Sequence, residues 1–498
     1  MRALVPLVVV VPLLGAAAAL VASRYRAVQR VISVLTVVAT TGIGIAILVG
    51  VEADGIAAVQ LGGWEAPLGI TLAVDLMAGM FLVVSLLTVL AVLVFAIGQA
   101  SDRRAVFHPS YLVLTAGVSL SFISGDLFNL FVAFEMMLIA SYVLITLGAT
   151  REQVRAGMTY VVINLTASTL FIAACAWVYA ATGTLNFADL ATIFPGLPDA
   201  VRLSLGLVFL VVFGVKAAIF PLFGWLPDSY PTAPTSITAV FAGLLTKVGV
   251  YAIIRTQTIF GLEELGPLIL LIAGVTMIVG VLGAIAQDDV KRILSFHIIS
   301  QIGYMIMGLG LWSVAGLAGA VIYVVHQIPV KTVLFLVGGL IEHTTGTGTL
   351  RRIGGMLRRA PLIAVLFLLP ALSLAGVPPF SGFVAKLALV DAGLGGEAWA
   401  IVAVSLVASV LTLVSMTKIW AGVFWGEPDE APPIAASMAP DAHLRAPALM
   451  TGATIGAVAL TLAIAVAAGP LFDLAERAAV DLVDTAAYVE AVTGTVAP

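Results

Sequence analysis

Five lysines lie inside apolar stretches that are long enough to cross a lipid bilayer: Lys216, Lys247, Lys331, Lys386 and Lys418. Two of them bracket the proline-rich stretch FGVKAAIFPLFGWLPDSYPTAPTSITAVFAGLLTKVGVY (213–251), in which Pro221 follows soon after Lys216. Proline removes a helical hydrogen bond and clashes with the preceding turn, so we expect a broken helix at membrane depth. Irregular backbone persists there only where protein or water surrounds it, which favours a site that handles ions over a lipid-facing anchor.

A single glutamate, Glu135, lies in the middle of the apolar stretch DLFNLFVAFEMMLIASYVLI (126–145). A charge at the bilayer centre costs about 2.5–3.5 kcal/mol even on the lenient insertion scale, which predicts a role for it. We interpret Glu135 and Lys216 as a switchable pair, because desolvation makes a lysine lose its proton more easily and a nearby carboxylate opposes that loss. The alternative is a permanent ion pair that only holds helices together.

Lys247, in GLLTKVGVYAII, is far from both ends of its stretch, so snorkelling to a membrane surface is the weaker alternative. His326 and Lys331 share YVVHQIPVKTVLFLVGG, with Pro329 between them. Histidine titrates near neutral pH, which suits a relay between lysines, although His326 could instead be a neutral histidine bonded to a backbone carbonyl. Five residues of helix turn the pair about 140° apart, so we expect them to face different neighbours.

Lys386, in PPFSGFVAKLALV, lies on a second proline-broken stretch and suits the end of such a series. Lys418 is nearer the end of its stretch, where snorkelling is an equal alternative. His297 and Gln301 are one turn apart and could face a wet channel, or His297 could be solvated near the inner surface. The predicted proton relay therefore consists of Glu135, Lys216, Lys247, His326, Lys331 and Lys386, with Lys418 and His297 as weaker members.

Three aspartates and the cysteine carry weaker signals. Asp75 and Asp126 lie near the ends of apolar stretches and are candidates for proton uptake. Asp228 follows the first break, and we expect it to cap the next helix because helix N-termini favour carboxylates. Cys175 is expected to pack in the interior.

The composition is that of a membrane protein. Of 498 residues, 61% are hydrophobic and 10% charged, against roughly 25% charged in a soluble domain. The net charge of −4 predicts no nucleic-acid partner, and one cysteine excludes a disulfide framework, an iron–sulfur cluster and a Cys-based zinc site. No HExxH, GxGxxG or Walker-type loop is present. We expect no cofactor and no metal, and a transporter subunit rather than an enzyme.

Apolar stretches of about 20 residues predict an all-α polytopic membrane protein with about fourteen transmembrane helices. Because arginines follow the first stretch, we expect a retained first span rather than a signal peptide. The predicted spans are 3–22, 31–51, 72–98, 109–124, 126–148, 157–182, 202–226, 233–257, 264–286, 293–312, 315–341, 361–391, 400–425 and 448–469.

Most lysines and arginines outside the spans follow odd-numbered ones, which predicts a multi-pass protein with both termini outside the cell. The fourth to eighth spans and the ninth to thirteenth each contain a proline-broken fourth member, at Pro221 and at Pro378–Pro379. Five helices per copy give two inverted repeats, as in many secondary transporters. The predicted organisation is a three-helix segment (1–108), a first repeat (109–257), a second repeat (264–425) and a loop, last helix and tail (426–498). The segment 184–198 is expected to lie as an amphipathic element on the outer surface.

The motifs carry a resemblance. The pattern KxxxFPLFGWLPDSYPTAPTSITAVFAGLLTKVGVY, with Lys216 and Lys247, resembles the antiporter-like proton-channel subunits of respiratory complex I, membrane hydrogenases and Mrp-type antiporters. The segment GDLFNLFVAFEMMLIASYVLITLGA (125–149) and the chain length are most similar to D-type Mrp subunits. The resemblance implies fourteen helices in inverted repeats, with the seventh and twelfth discontinuous. It also implies a path from the coupled Glu135 and Lys216 through Lys247 and His326 or Lys331 to Lys386.

The implied activity is exchange of Na+ for protons, driven by the proton motive force, in a bacterial-type cell membrane. The implied partners are a large A-type subunit and small membrane subunits, with protons and Na+ as the transported ions. One alternative is the same fold in a complex I-like NADH/quinone oxidoreductase or a membrane hydrogenase. Another is a scaffold whose buried charges form fixed ion pairs. No cluster of carboxylate and carbonyl ligands for Na+ stands out in the sequence.

Overall fold

The computed structural model describes residues 1–427 and 446–494. Twelve helices in these ranges are long and apolar enough to cross a membrane. Two shorter apolar helices, Phe107–Ile123 and Pro361–Ala375, occupy the positions of two further predicted spans. The all-α polytopic class is therefore confirmed, while the count of fourteen crossings, which includes these two, stays a prediction.

The helices before the first break and around it are α1 (Leu7–Val21), α2 (Arg26–Asp54), α3 (Leu76–Gln99), α4 (Phe107–Ile123), α5 (Leu127–Ile145), α6 (Arg151–Thr182), α7 (Phe187–Ile193), α8 (Asp199–Ala217), α9 (Trp225–Ser229), α10 (Thr235–Val240) and α11 (Thr246–Phe260). The later helices are α12 (Gly266–Ile285), α13 (Val290–Gly310), α14 (Val314–Thr345), α15 (Met356–Arg359), α16 (Pro361–Ala375), α17 (Ser381–Gly395), α18 (Trp399–Trp420), α19 (Ala448–Val466), α20 (Ala468–Val483) and α21 (Ala486–Thr493). A π-helical turn, Phe241–Leu245, joins α10 to α11, and a second one, Ala421–Trp425, extends α18.

Three buried helical segments, α10–α11, α13 and α14, form the centre of the molecule. The apolar windows of α10–α11 and α14 are 100% buried, and that of α13 is 94% buried. The 32-residue α14 packs against α13, α17, α20, α19 and α3, so it contacts both halves of the chain. Polar side chains on these three helical segments are consequently shielded from lipid.

Both predicted interruptions are present. Helix α8 ends at Ala217 because Ala218 adopts a left-handed conformation with φ +61°, several residues before Pro221. The indole Nε1 of Trp225 donates to the freed carbonyl of Val215 at 3.0 Å. In the second interruption, Gly376 ends α16 with φ +87° and α17 begins at Ser381. The ends of both broken helices are therefore held inside protein.

Some sequence expectations were wrong in detail. The third span was expected from residue 72, but residues 70–74 are a strand and Asp75 caps α3, accepting from Ala78 N at 2.8 Å. The strands β1 (Ala57–Leu61) and β2 (Ile70–Val74) form an antiparallel hairpin in which Ala57 faces Val74. The tail after the last predicted span folds into α20, which packs on α14, α3 and α11, and α21, which packs on α7 and β1.

The segment 184–198 contains α7, whose apolar residues Phe187 and Leu190 are buried. These residues pack toward α11 and α21 rather than lying free on the surface. Asn186 caps α7 and also donates to Thr71 Oγ1 at 2.8 Å. The amphipathic segment thus joins the hairpin to the helical core.

Candidate proton-relay site

The first group of the site lies where α5, α6 and α8 meet. Lys216, the penultimate residue of α8, is 4% exposed. Its Nζ donates to Ser168 Oγ at 2.8 Å and to the carbonyl of Asn164 at 3.1 Å. Ser168 in turn donates to the carboxylate of Glu135. The predicted pair is thus linked through a serine hydroxyl rather than by direct contact.

Lys247 lies one residue into α11, directly after the π-helical turn, and is 1% exposed. Its Nζ donates to the carbonyl of Ala242 within that turn at 2.5 Å. Turns of this kind occur most often at functional sites. A Cβ on Gly249 would lie 2.6 Å from Ala217 N, so only glycine lets α11 approach the end of α8 beside Lys216.

Lys331 occupies the middle of α14 with no exposed surface. Its Nζ has no hydrogen-bond partner among the described residues. Lys247 and Lys386 both lie within electrostatic range of it. A buried amine without a partner is costly, so this position calls for a bound water or for a proton that comes and goes.

His326 faces the second broken helix rather than Lys331. Its Nδ1 lies 2.8 Å from the hydroxyl of Ser381, the first residue of α17. Ser381 Oγ lies 3.3 Å from Ser373 Oγ, so hydroxyls from both sides of the break meet at this histidine. The alternative of a histidine bonded to a backbone carbonyl does not fit, because the partner is a serine hydroxyl. The expectation that His326 and Lys331 have different neighbours agrees with the geometry.

Lys386 lies in α17 beyond the same break and is 6% exposed. Its Nζ donates to the carbonyl of Ala375 at the end of α16, at 3.1 Å. The ammonium also lies 4.9 Å from the centroid of the Tyr304 ring, a favourable cation–π distance. As at Lys216, a backbone carbonyl of another helix holds the lysine, and here that carbonyl is at a helix terminus.

A cluster of side-chain amides and tyrosines lies between α13 and α14. The Oε1 of Gln301 accepts from Tyr323 OH at 2.5 Å and from Gln327 Nε2 at 3.2 Å. The Nε2 of Gln301 and the Oε1 of Gln327 have no partner among the described residues. Buried polar atoms are nearly always hydrogen-bonded, so these atoms favour water in this part of the core.

Among the described residues, neither of the two weaker candidates hydrogen-bonds to a central lysine. His297 has no exposed surface, so the alternative that it is solvated at the inner surface was wrong, and its Nε2 lies 2.8 Å from Ser415 Oγ on α18. Lys418 donates to the carbonyls of Ile285 and Gln287 at 2.9 and 2.6 Å and pairs with Asp288 at 3.0 Å. The hydrogen bond from Lys418 is the main cause of the lowered pKa of Asp288, a loop residue.

The other carboxylates have structural partners. Asp75 pairs with Arg255 at 2.5 Å, and both are buried. Asp126 caps α5 by accepting from Asn129 N at 2.8 Å. The expected capping role of Asp228 was wrong, since it lies inside α9 and pairs with Arg292 at 3.0 Å. Cys175 is buried in the interior, as expected.

Several polar residues that contact the relay were missed by the sequence reasoning. Asn164 and Ser168 are four residues apart on α6, and Tyr323, Gln327 and Lys331 repeat the same spacing on α14. Polar residues four apart share one face of a helix, so this spacing was a usable signal. Ser373, Ser381 and Ser415 carry no such pattern, because their contacts are with other helices.

The cavities outside this core face outward and differ in polarity, since one of about 860 Å³ beside the hairpin is lined by Arg2, Asp54 and Asp481 among others, while the rest are mainly apolar. One of about 640 Å³ lies between α12 and α18 and is lined by Leu270, Gly274 and Trp399 among others. Within the described residues, no group of three or more His, Cys, Asp and Glu side chains could hold a metal ion. The buried lysines, with the hydroxyls and carbonyls that hold them, therefore form the main concentration of titratable chemistry inside the helices.

Comparison with known proteins gives a consistent result. Residues 124–412 match the family described as NADH:quinone oxidoreductase/Mrp antiporter, TM. The chain is 44% identical over 498 residues to the D-type subunit of the Na(+)/H(+) antiporter of Alkalihalophilus pseudofirmus, covering 99% of each protein. It is 37% identical over 442 residues to the protein of the same name from Bacillus subtilis, covering 87% of this chain and 89% of that protein.

Comparison with solved structures agrees with these sequence comparisons. A chain of the Mrp complex from Dietzia sp. DQ12-45-1b has a TM-score of 0.93 at 32% identity, with 99% of this chain and 100% of that chain covered. A chain of the membrane-bound sulfane sulfur reductase, an archaeal respiratory membrane complex, has a TM-score of 0.87 at 27% identity, covering 98% and 99%. The chain described above belongs to the NADH:quinone oxidoreductase/Mrp antiporter family of multi-pass membrane proteins.

Proposed function

We propose that this chain is the proton-translocating, D-type subunit of a multisubunit Na+/H+ antiporter driven by the proton motive force. Its full-length similarity to proteins named as the D-type subunit of a Na(+)/H(+) antiporter supports this role. The partners would be a large A-type subunit and small membrane subunits in a bacterial-type cell membrane. In this role the chain is a secondary transporter subunit rather than an enzyme.

The observation that carries the proposal is the burial of four lysines without ion pairs. Among the described residues, Lys216, Lys247, Lys331 and Lys386 are at most 6% exposed, and hydroxyls or carbonyls, not carboxylates, hold three of them. A scaffold of fixed ion pairs requires a carboxylate partner for each lysine. Titratable groups inside the membrane otherwise mark ion pathways.

Proton transfer would begin at the link between Glu135 and Lys216. The Ser168 hydroxyl donates to Glu135 and accepts from Lys216, so it can pass a proton to the carboxylate while it takes one from the ammonium. Loss of the charge on Lys216 then favours protonation of a neighbouring lysine, because like charges disfavour each other. Lys331 lies within electrostatic range of both Lys247 and Lys386. A change in charge on one side can therefore pass through Lys331 from the first broken helix toward the second.

We propose that the face carrying the connection between α12 and α13 is cytoplasmic, and we name it the inner face. It contains most of the lysines and arginines outside the spans, as the positive-inside rule requires. Both termini would then lie outside the cell.

The test is Na+-dependent proton movement in inverted membrane vesicles that contain the assembled antiporter. We expect Glu135→Gln, Lys216→Ala and Lys386→Ala each to lose most exchange, because removal of a relay group typically costs a factor of 10²–10⁴. Glu152→Gln, an exposed carboxylate at the start of α6, is the matched control and should exchange normally. Co-purification of the other subunits must be unchanged. Full exchange by all three relay variants would overturn the proposal.

The similarity to a chain of an archaeal respiratory complex supports a second candidate, the proton-pumping subunit of a redox-driven complex. Its lower identity and TM-score make it the weaker of the two. Affinity purification of the tagged chain from its own membranes separates them. Small membrane subunits without flavin or iron–sulfur absorbance support the antiporter, and co-purifying flavin and iron–sulfur proteins support the redox complex.

A further inference from the structure

A polar seam between α13 and α18 contains His297, a weaker member of the predicted relay, and leads toward Lys418, the other one. His297 Nε2 lies 2.8 Å from Ser415 Oγ, and neither side chain is exposed. His297 Nδ1 has no partner within the described residues. Lys331 of α14 and Lys386 of α17 are the charged groups close enough to act on this histidine electrostatically. One ring nitrogen of His297 thus contacts a hydroxyl and the other is free to meet a water of the core.

The same seam reaches the inner face within one helical turn. Lys418 follows Ser415 by three residues, so the two lie on one side of α18. The Lys418 side chain is 33% exposed and pairs with Asp288, which is 47% exposed and also pairs with Arg351 at 3.4 Å. The series therefore runs from a fully buried imidazole to a carboxylate in contact with solvent.

We infer that His297, Ser415, Lys418 and Asp288 form a proton port that connects the buried relay with the inner face. The inference rests on the proposed function, since a port needs a relay to supply. It names residues through which protons reach or leave that relay on one side of the membrane.

The steps of the port conserve protons. The Lys418 ammonium donates to Ile285, Gln287 and Asp288 and does not contact Ser415, so a water must carry the proton between them. Lys418 gives a proton to this water, the water gives one to Ser415 Oγ, and that hydroxyl gives its own proton to His297 Nε2. The imidazolium then releases the Nδ1 proton toward Lys331, and Lys418 regains a proton from solvent beside Asp288. Run backwards, the same steps release a proton to the inner face.

A purely structural role for Lys418 is the competing explanation, because its ammonium also binds the carbonyls of Ile285, the last residue of α12, and of Gln287 beyond it. The two roles differ in what arginine would do. Arginine keeps the charge and the donors but cannot release its proton in a protein. Lys418→Arg should therefore preserve a structural contact and block a port.

The experiment measures Na+/proton exchange by the complete antiporter in proteoliposomes while the pH on the inner face is varied. Lys418→Arg and Ser415→Ala should each slow exchange about tenfold, a barrier increase of about 1.4 kcal/mol, and shift its dependence on inner pH. Lys291→Arg is the matched control, since Lys291 lies on the same face but pairs with Glu342. Thr412→Val is the control for serine, since that buried hydroxyl of α18 bonds only its own backbone.

Wild-type rates and pH dependence in Lys418→Arg and Ser415→Ala would overturn the port. If Lys216→Ala is inactive in the same preparation, the proposed function stands while the port fails. If Lys216→Ala is also fully active, both fail. Slowed exchange in Lys418→Arg and Ser415→Ala, with normal controls and unchanged thermal stability, supports the port.

Discussion

Two kinds of buried cation occur in this protein, and their surroundings differ. Arg255 pairs with Asp75 at 2.5 Å, and its guanidinium lies 5.4 Å from the rings of Tyr251 and Tyr488. Lys331 has no partner of any kind within the described residues. Arginine is always charged, so a buried one needs compensation, whereas a lysine can be neutral. The permanent charge is compensated, whereas Lys216, Lys247 and Lys386 of the proposed relay are held by neutral groups and Lys331 has no partner among the described residues.

Ser168 tests this interpretation at the first pair. Ser168→Ala removes the only hydroxyl between Glu135 and Lys216 and leaves both titratable groups in position. A hydrogen bond to a charged group contributes about 1.5–3 kcal/mol, so exchange should fall roughly tenfold or more. The measurement is exchange in inverted vesicles, with Ser168→Thr restoring the hydroxyl. Thr169→Val, which changes an exposed hydroxyl bonded to Leu165 O, is the control. Equal rates for Ser168→Ala and the wild type would show that the bridge is dispensable.

Asp102 gives a pH prediction outside the membrane-spanning helices. Burial raises its pKa, but hydrogen bonds from His108, Arg30 and Arg26 outweigh this, and the pKa is lowered overall. A lowered folded-state pKa stabilises the protein above the unfolded value of about 3.9 and ceases to do so as pH falls through the folded value. The side chains of Arg26 and Arg30 are 40% and 33% exposed, so the loss is smaller than the ~3–5 kcal/mol of a fully buried pair, and Asp102→Asn should still melt earlier at pH 7 in detergent. The difference in melting temperature between Asp102→Asn and the wild type should become smaller below about pH 4. A gap that widens in acid would contradict the assignment.

At the scale of helices, the sequence predicted where the chain breaks better than how the breaks are held. Pro221 and Pro378–Pro379 mark the two interruptions, because proline disfavours a helix interior, although α14 continues through Pro329 and α16 through Pro370. The partners that satisfy the broken ends come from elsewhere, such as Trp225 for Val215 and Ser381 for His326. Such contacts depend on which helices meet, and local spacing carries no information about that.

Gly382 tests whether the close packing at the second break matters. A Cβ at this position would lie 1.7 Å from the carbonyl oxygen of Ser373 and 3.0 Å from His326 Cε1. Overpacking of this kind costs about 1–3 kcal/mol, so Gly382→Ala should lower the melting temperature and reduce exchange by moving Ser381 away from His326. Gly395→Ala, in the same helix with open space around it, should behave like the wild type. A Gly382→Ala protein with normal melting and exchange would refute this account of the break.

At the scale of the whole molecule, the hairpin and the last two helices escaped sequence prediction for physical reasons. AAVQL and ITLAV are five-residue strands beside long apolar helices, and their pairing is visible only once Ala57 faces Val74. Helix α20 is amphipathic and too short to cross, so a rule based on about 20 apolar residues cannot detect it. Both elements lie on the face where Gln60 contacts Val492 O.

Ion pairs support the predicted alternation of the helices. Asp102 pairs with Arg30, Asp228 with Arg292, and Asp288 with Arg351, and all of these residues lie on the predicted inner face. Asp75 and Arg255 lie together on the predicted outer face. A missed crossing would have assigned opposite faces to residues that are in contact.

This alternation predicts which loops a membrane-impermeant maleimide can reach in intact cells. The only native cysteine, Cys175, is buried, so Cys175→Ala gives a clean background for single cysteines. Glu65→Cys, in the hairpin, and Glu490→Cys, in α21, should be labelled from outside, because both are exposed on the predicted outer face. Arg104→Cys, on the exposed loop after α3, should react only after the cells are permeabilised. The Cys175→Ala parent is the control and should stay unlabelled. Labelling of Arg104→Cys in intact cells would reverse the orientation, and opposite results for the Glu65 and Glu490 variants would show that a crossing between them is wrong.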